Sequence, residues 1–213
     1  MGAPGGLPAR RGGLVSLNAG RCRAARLAVG LVVLLQLNRT AVLLGISALP
    51  LVAVYPFMKR ITWWPQAWLG LTFNWGALMG WAAVTGGLAW PAVALYGAGI
   101  AWTLGYDTTY AHQDKRDDAL IGVKSSARRL GAATRPWLFA FFGVSLALLA
   151  TAGVLAGLAW PFHGILAAAG AQAAWQAGTV DIDDAADCLA KFKSNGLFGG
   201  LIFAAIVAGQ MAV

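Results

Sequence analysis

The sequence predicts an all-α protein, a multi-span transmembrane helical bundle of about seven helices. Hydrophobic residues make up 59% of the chain and charged residues 11%, and the mean hydropathy is +0.66. This balance lies outside the range of ordinary soluble domains. A helix needs roughly 20 apolar residues to cross a hydrocarbon core of about 30 Å. Seven runs have this character: 22–38, 40–57, 65–85, 91–106, 135–158, 161–179 and 196–213.

Tryptophans support these boundaries. The chain holds ten Trp, and several lie at the ends of the apolar runs, among them Trp63, Trp64, Trp90 and Trp160. Trp is enriched at membrane–water interfaces because its ring is apolar and its N–H is polar. The pattern favours helices that cross a membrane over a buried soluble core.

The basic residues predict the topology. If the N-terminus lies inside and the seven spans alternate, then of the sixteen Lys and Arg only Arg39 falls outside. This bias is typical of positive-inside orientation. The net charge of +8 then reflects orientation and attraction for anionic head groups or substrates. We expect membrane lipid as a partner and no nucleic acid, and the sequence predicts no oligomeric state.

Two segments are predicted from composition. Residues 1–21 are rich in Gly, Pro and Arg without any acid, and we interpret them as a cytoplasmic arm. Residues 22–213 form the transmembrane domain. The compact connections favour a bacterial inner membrane, with the mitochondrial inner membrane as the alternative.

Carboxylates are scarce and clustered. The chain has no Glu and eight Asp, of which Asp107, Asp114, Asp117 and Asp118 lie in the segment 106–126. At about 100° per helical residue, the first, second and fourth of these share one face. Like charges so placed repel one another, so the pattern indicates a bound cation.

Magnesium is the cation that this pattern favours. Mg²⁺ typically takes one or two protein carboxylates and completes its octahedron with water and phosphate oxygens. Cations surround the acids, which suits a metal-bound diphosphate: Lys115, Arg116, Lys124, Arg128 and Arg129. The alternative is an exposed helix held by ion pairs between neighbouring turns.

Three further polar features stand beside the apolar runs. Lys59 and Arg60 follow Pro56, and either bind a substrate or extend to the interface as orientation signals. Asn74 places an amide inside an apolar run, which requires a polar partner or a wet cavity. The segment Val180–Asn195 carries a second acidic cluster, which we interpret as a solvated connection, with a part in the site as the alternative.

Four stretches carry a family resemblance. YDTTYAHQDKRDDALIGVKS closely resembles the second Asp-rich motif of the 4-hydroxybenzoate polyprenyltransferases, a branch of the UbiA superfamily of intramembrane prenyltransferases. YPFMKR, GLTFNWGALMGW and DIDDAADCLAKFKSN are similar to further signatures of the same family. The resemblance runs from about residue 27 to near the end. The family has Pro where Ala185 stands and a basic residue where Gly196 stands.

The resemblance implies a nine-helix fold, of which this chain corresponds to the C-terminal seven helices. The family carries a first Asp-rich motif of the type NDxxDxxxD, which is absent from this chain. The stretch Leu7–Arg10 resembles the segment that follows that motif. We therefore expect the first two helices and half of the metal site to be missing.

The resemblance also implies an activity. The family transfers a polyprenyl group from polyprenyl diphosphate to the ring carbon ortho to the hydroxyl of 4-hydroxybenzoate, in ubiquinone biosynthesis, with Mg²⁺. By matching positions, Asp114 and Asp118 are expected to bind Mg²⁺, and Asp107 to bind metal or to orient the acceptor and take its proton. The other expected roles are diphosphate binding by Lys59, Arg60 and Lys124, and cavity lining by Asn74 and Tyr110.

Two other functions remain open at this point. One is a prenyltransferase of the same superfamily with another acceptor, such as homogentisate, naphthoate, haem or chlorophyllide. The stretches YDTTYA and DIDDAADCL favour 4-hydroxybenzoate over these. The other is a truncated, non-catalytic membrane protein or a small transporter, which would bind a solute without Mg²⁺ or prenyl diphosphate.

Overall fold

The computed structural model describes residues 11–213, apart from the side chains of residues 11–20 and Arg23. All regular elements in that range are helical, so the all-α prediction is confirmed. A 3₁₀ turn at Gly131–Ala133 separates the seventh helix from the eighth. The helices are α1 (Arg11–Leu35), α2 (Arg39–Ile61), α3 (Pro65–Phe73), α4 (Trp75–Thr85), α5 (Trp90–Ala111), α6 (Lys115–Ile121), α7 (Ser126–Leu130), α8 (Thr134–Leu155), α9 (Trp160–Thr179) and α10 (Ala185–Met211).

Each of the seven apolar runs becomes helical, and α3 and α4 share the third run. Within the described range, three helical stretches combine the length and the apolar composition needed to cross a membrane: Arg39–Ile61, Ser126–Leu155 and Ala185–Met211. The two shortest helices, α6 and α7, lie between α5 and α8 and correspond to the Asp-rich segment and the basic residues that follow it.

The first helix begins earlier than predicted. α1 starts at Arg11, within the segment 1–21 that the composition assigns to a cytoplasmic arm, and the division of the chain at residue 21 stays a prediction. The chain has no proline between Pro8 and Pro50, and proline is the residue that most strongly interrupts helical hydrogen bonding. Residues 1–10 of the predicted arm lie outside the described residues.

The third run is broken at Asn74. Its backbone has φ −88° and ψ 1°, and its side-chain Nδ2 donates to the carbonyl of Gly70 at 2.9 Å. The same nitrogen donates to Oγ1 of Thr103 on α5 at 2.9 Å. An amide that binds nearby backbone competes with the helical ladder, so the helix stops and restarts here. The polar partner expected for this half-buried amide is Thr103.

The helix α5 packs against α3, α4, α8 and α10. Close approach depends on small residues: a Cβ added at Gly105 would lie 2.7 Å from the ring of Phe142 on α8. Phe142 belongs to the main core, together with Leu138 and Phe198. The central position of α5 fixes its C-terminal end, where the Asp-rich segment begins.

The bundle has one charged end, which we define as residues 55–66, 106–135 and 180–193. The guanidinium of Arg135 donates to the carbonyl of Val180 at 2.7 and 3.0 Å there. At the opposite end the N–H of Ala159 donates to the carbonyl of Gly209 at 3.1 Å.

Arg39 lies at this opposite end, one residue after Asn38, whose amide donates to the carbonyl of Ala82 at 2.6 Å. The segregation of charge along the bundle therefore follows the pattern expected from the sequence.

Candidate functional site

The Asp-rich segment is not one continuous helix, which corrects the premise of a single carboxylate stripe. α5 ends at Ala111 and α6 begins at Lys115. The N–H of His112 bonds back to Thr109 at 3.3 Å, in a tightened last turn. The imidazole of His112 is buried and its Nε2 contacts Oγ1 of Thr134 on α8 at 2.9 Å. This tertiary contact pulls the chain off the axis of α5.

The break separates Asp107 from the other carboxylates. Asp107 is half-buried on α5, Asp114 is exposed in the turn, and Asp118 on α6 is 9% exposed. The N–H of Asp118 donates to the carbonyl of Asp114 at 2.8 Å, which places these two residues one turn apart. Two carboxylates one turn apart fit the oxygen ligands that Mg²⁺ prefers.

The residues that the structure describes do not form a larger protein metal site. Within residues 11–213, no three His, Cys, Asp or Glu side chains lie close enough together to hold a metal ion. Asp107 is therefore not gathered with Asp114 and Asp118 into a three-carboxylate cluster. The assignment of magnesium to these residues stays a prediction.

A backbone hydrogen bond links two of the segments that carry the cations expected to bind diphosphate. The N–H of Lys124 donates to the carbonyl of Lys59 at 2.9 Å, and its Nζ donates to the carbonyl of Ile61 at 3.1 Å. Lys59 and Arg60 are exposed at the end of α2. The α6–α7 connection is thus fixed beside the end of α2, which carries Lys59 and Arg60.

An aromatic platform lies next to these cations. The Nζ of Lys124 is 5.9 Å and the guanidinium carbon of Arg128 is 5.4 Å from the centre of the Trp63 ring. Cation–π attraction of this kind contributes about 0.5–1 kcal/mol at exposed sites. The sequence predicts only an interfacial position for Trp63, because its contact with two cations joins segments that are distant along the chain.

Asp107 lies near the end of α2. Its electrostatic neighbours are Lys59 and Tyr55, both on α2. Tyr110 lies at the charged end, with its ring 4.7 Å from Phe192 on α10, and its role in lining the substrate cavity stays a prediction. The structure therefore brings Asp107 near Lys59 of α2 and places Tyr110 on the α10 side.

A cavity of about 280 Å³ lies below the charged end. Asn74, Trp102, Ser145 and Phe198 are among the residues that line it, and Trp102 contacts Tyr106 with ring centroids 5.3 Å apart. Five residues separate Trp102 from Asp107, or about 7 Å along the helix axis. An apolar space therefore opens roughly one and a half turns below the carboxylate of α5.

The apolar space continues towards the opposite end. A second cavity of about 180 Å³ shares Leu95 and Leu149 with the first. Its other lining residues are mostly apolar, with Gln210 as a polar exception. Apolar clefts with a few polar groups are the usual form of small-molecule sites, and this pair is elongated along the bundle.

Several polar residues inside the bundle were missed by sequence reasoning. The amides of Gln176 and Asn195 donate to each other at 2.8 and 3.3 Å, and Trp102 Nε1 donates to Asn195 Oδ1 at 2.8 Å. Ser145 is fully buried on α8 and its hydroxyl has no partner among the described residues. Polar residues inside apolar runs were the available signal, as for Asn74.

The second acidic cluster has local partners. Asp184 caps α10 by accepting from the N–H of Ala186 at 2.8 Å. Asp187 accepts from the N–H of Asp181 at 2.8 Å and pairs with Lys191 at 3.0 Å. These contacts shape the connection itself, in keeping with the interpretation of this cluster as a structural, solvated segment.

His112 is held neutral by its surroundings. The pKa of its imidazole is lowered to about 4, mainly by burial and also by the nearby Lys115, while Asp183 and a hydrogen bond with the backbone of Ile182 act in the opposite direction. Burial disfavours the charged form of a histidine because the imidazolium loses its hydration. The ring therefore serves as an uncharged hydrogen-bonding group at neutral pH.

Comparisons with known proteins identify relatives of about twice this length. Three curated relatives named "4-hydroxybenzoate polyprenyltransferase, mitochondrial" come from Arabidopsis thaliana, Caenorhabditis elegans and Homo sapiens. They are 52% identical over 187 residues, 50% over 205 and 50% over 188. These matches cover 87%, 96% and 87% of this chain and 46%, 58% and 50% of the relatives. The chain spans about half the length of the curated relatives it matches.

A solved structure shares the fold. It comes from work described as "Structural and mechanistic insights into the biosynthesis of Digeranylgeranylglyceryl phosphate synthase in membranes". The TM-score is 0.71 at 16% identity, over 92% of this chain and 70% of the other. At that identity the likeness concerns the helical architecture alone. The profile of the UbiA prenyltransferase family matches residues 7–206, and the chain therefore belongs to that family.

Proposed function

We propose that this chain acts in the transfer of a polyprenyl group from polyprenyl diphosphate to 4-hydroxybenzoate, at the ring carbon ortho to the hydroxyl, in ubiquinone biosynthesis. The observation that carries the proposal is an identity of 50–52% with relatives named for this activity. The charged end above an elongated apolar cavity supports it, because the donor has an anionic head and a long apolar tail. Since the chain spans about half of those relatives, the activity is proposed for the protein to which this polypeptide belongs.

The chemistry requires that an allylic C–O bond break, with its electron pair leaving on the diphosphate. Magnesium held by Asp114 and Asp118, with Asp107 as a further candidate ligand, would neutralise charge on this leaving group. Lys59, Arg60 and Lys124 are proposed to bind the diphosphate oxygens. Charge-assisted hydrogen bonds from cations to phosphate are among the stronger polar contacts in proteins.

The acceptor half of the reaction needs a base and a dry site. A C–C bond forms at the ortho carbon, and the ring proton must then leave. We assign Asp107 to orienting the acceptor and accepting this proton, since it lies on α5 above the cavity and next to Lys59 of α2. The apolar walls of the cavity keep water from the allylic cation.

The proposed location is an inner membrane with the charged end on the interior side. Clustering of the cations at one end supports this orientation. Compact connections favour a bacterial inner membrane, while the names of the relatives contain the word mitochondrial and favour the mitochondrial one. A cysteine introduced at exposed Lys193 should react with an impermeant reagent from the interior side only.

A prenyl-transfer assay in membranes tests the function. Labelled 4-hydroxybenzoate, a polyprenyl diphosphate and Mg²⁺ are supplied to this chain, to its Asp114→Ala variant and to an upstream-extended version. Asp117→Ala is the matched control, because Asp117 is an exposed carboxylate of α6 with no proposed role. We expect Asp114→Ala to lower the rate by about 100-fold or more and Asp117→Ala to leave it near the starting value.

The outcomes separate the hypotheses. Activity in the chain as given, lost in Asp114→Ala, supports catalysis with one Asp-rich motif. Activity only in the upstream-extended version assigns catalysis to a longer protein. No activity in any version rejects the catalytic proposal and favours a non-catalytic membrane protein.

A further inference from the structure

The indole of Trp102 forms part of the wall of the 280 Å³ cavity, and it is held there on several sides. Its Nε1–H donates to Oδ1 of Asn195 at 2.8 Å. The ring centroids of Tyr106 and Phe198 lie 5.3 and 5.1 Å from that of Trp102. A Cβ added at Gly199 would lie 3.2 Å from Cη2 of the indole, so the outer edge of the ring packs closely against α10.

The orientation of the Asn195 amide follows from its own partners. Its Nδ2 donates to the backbone carbonyls of Lys191 and Phe192 at 3.1 and 3.2 Å. Because carbonyl oxygens only accept and an indole N–H only donates, the amide nitrogen faces the carbonyls and the amide oxygen faces the indole. Gln176 on α9 adds a reciprocal pair of hydrogen bonds at 2.8 and 3.3 Å. The acceptor for the indole is thus fixed in one orientation.

The amide pair acts on the cavity only through the indole. Asn195 is 7% exposed and Gln176 is 3% exposed, and neither borders the 280 Å³ space, whereas Trp102 does. Amides buried inside an apolar bundle cost free energy unless hydrogen bonds satisfy them. Here the satisfied pair places one acceptor at the indole, so an effect of Asn195 on a molecule in the cavity passes through the position of that ring.

Trp102 lies between the charged end and the more distant apolar space. It precedes Asp107 by five residues, or about 7 Å along the axis of α5, whereas Leu95 lies further from the charged end and also lines the second cavity. An isoprene unit contributes four carbon–carbon bonds of about 1.5 Å each, or roughly 5 Å when extended. With the diphosphate bound at the charged end, the first one or two isoprene units of the donor therefore pass the indole.

We propose that Asn195 is a positioning residue for prenyl transfer, which holds the indole of Trp102 beside the first isoprene units and thereby keeps water from the allylic carbon. This inference rests on the proposed function, because it places the donor in the same site. When the allylic C–O bond breaks, its electron pair leaves on the diphosphate. The carbon then forms a C–C bond with the acceptor ring, which releases its ring proton, or a C–O bond with water, which releases a proton and gives free polyprenol. A displaced indole admits water and raises the share of polyprenol.

Two substitutions displace the indole by independent routes. Asn195→Leu removes the acceptor of the indole N–H and keeps a side chain of similar size, whereas Gly199→Ala keeps the amide and presses on the edge of the ring. Gly200→Ala is the matched control at the next residue, because open space surrounds an added Cβ there. Gly209→Ala controls for lost stability alone, since its Cβ would lie 2.7 Å from Cβ of Phe162 at the opposite end of the bundle.

The first experiment measures how the donor is partitioned between two products. Purified protein, in the version that shows transfer, receives labelled geranylgeranyl diphosphate, 4-hydroxybenzoate and Mg²⁺, and the prenylated acceptor and the free prenol are separated by chromatography. We expect Asn195→Leu and Gly199→Ala each to raise the ratio of prenol to prenylated acceptor about tenfold, and both control variants to change it by less than about twofold. The amount of folded protein cancels in this ratio, so a loss of stability alone does not alter it.

The second experiment does not depend on turnover. The full chain in neutral detergent is labelled with fluorotryptophan, and the fluorine resonance of Trp102 is assigned by its loss in Trp102→Phe. The ligand is a geranylgeranyl diphosphate analogue with sulfur in place of the bridging oxygen, which resists cleavage. We expect this analogue to shift the Trp102 resonance, and we expect Asn195→Leu to move or broaden the same resonance before any ligand is added.

The outcomes distinguish this inference from the proposed function. Transfer by the unsubstituted protein with an unchanged product ratio in Asn195→Leu and Gly199→Ala overturns the inference and leaves the proposed function standing. A ratio that rises equally in Gly209→Ala also overturns it, because the whole bundle has then loosened. If no version transfers a prenyl group, the proposed function fails, and the Trp102 resonance decides: a shift with the analogue that is lost in Asn195→Leu supports the positioning role, and an unshifted resonance rejects it.

Discussion

The N–H of Lys124 donates to the carbonyl of Lys59 at 2.9 Å, although 65 residues separate them in the sequence. This bond fixes the α6–α7 connection to the end of α2. Lys124 therefore has a structural role through its backbone, besides the diphosphate-binding role proposed for its ammonium group. The two can be separated by substitution.

We expect Lys124→Pro to detach the connection, because proline has no N–H to donate. The loss of one buried or half-buried hydrogen bond costs about 1 kcal/mol, so the melting temperature in detergent should fall. Lys124→Gln keeps the backbone donor and removes the charge, so it should raise the KM for polyprenyl diphosphate and leave the melting temperature nearly unchanged. Equal melting temperatures for the two variants would contradict the backbone role.

A second prediction concerns the contact of Gly99 with Asn74. A Cβ added at Gly99 would lie 2.9 Å from the Asn74 Cβ and closer still to its amide. Gly99→Ala should displace that amide from Thr103 and destabilise the fold by about 1–3 kcal/mol. Gly80→Ala is the control, because open space surrounds that position; thermal unfolding in detergent compares the two. Similar stability of both variants would show that α3 and α4 can shift freely against α5.

The positions of the helices could be predicted from the sequence, whereas the breaks within them could not. The apolar runs became helices because hydrophobic length is a local property of the chain. The breaks at Asn74 and His112 could not be predicted, since each depends on a partner distant along the chain. Asn74 bonds Thr103 at a separation of 29 residues, and His112 bonds Thr134 at a separation of 22.

The same distinction applies to the candidate site. Because carboxylates are scarce in this chain, the sequence identifies Asp107, Asp114 and Asp118 as candidate site residues. Their arrangement in space depends on the turn between α5 and α6, which the sequence pattern does not predict. The contact between Lys59 and Lys124 depends on how the α6–α7 connection lies against the end of α2, which no spacing encodes. The sequence therefore predicts which residue types form the candidate site, whereas the distances between them depend on tertiary contacts.

A third prediction concerns the unpaired hydroxyl of Ser145. A buried polar group without a partner costs about 1–3 kcal/mol, so Ser145→Ala should raise the melting temperature. Thr103→Val is the contrasting substitution, because it keeps the shape of the side chain and removes the acceptor of the Asn74 amide; it should lower the melting temperature. A fall in both variants would indicate that the Ser145 hydroxyl has a partner, such as an ordered water molecule.

The last prediction concerns the dependence of stability on pH. Burial lowers the pKa of His112 from 6.5 to about 4. Between these values the unfolded chain binds a proton that the folded chain does not, so the free energy of unfolding falls as the pH drops from 6.5 towards 4. The charged groups near the imidazole are Lys115 on α6 and Asp183 in the α9–α10 connection.

The variant His112→Gln tests this dependence, since glutamine can still donate to Thr134 and does not titrate. We expect the unsubstituted chain to lose more thermal stability than this variant when the pH is lowered from 7 to 5. Both proteins carry the same carboxylates, so acid effects from Asp residues cancel in the comparison. Parallel losses in the two proteins would show that His112 is protonated in the folded state, and that the solvent reaches its ring.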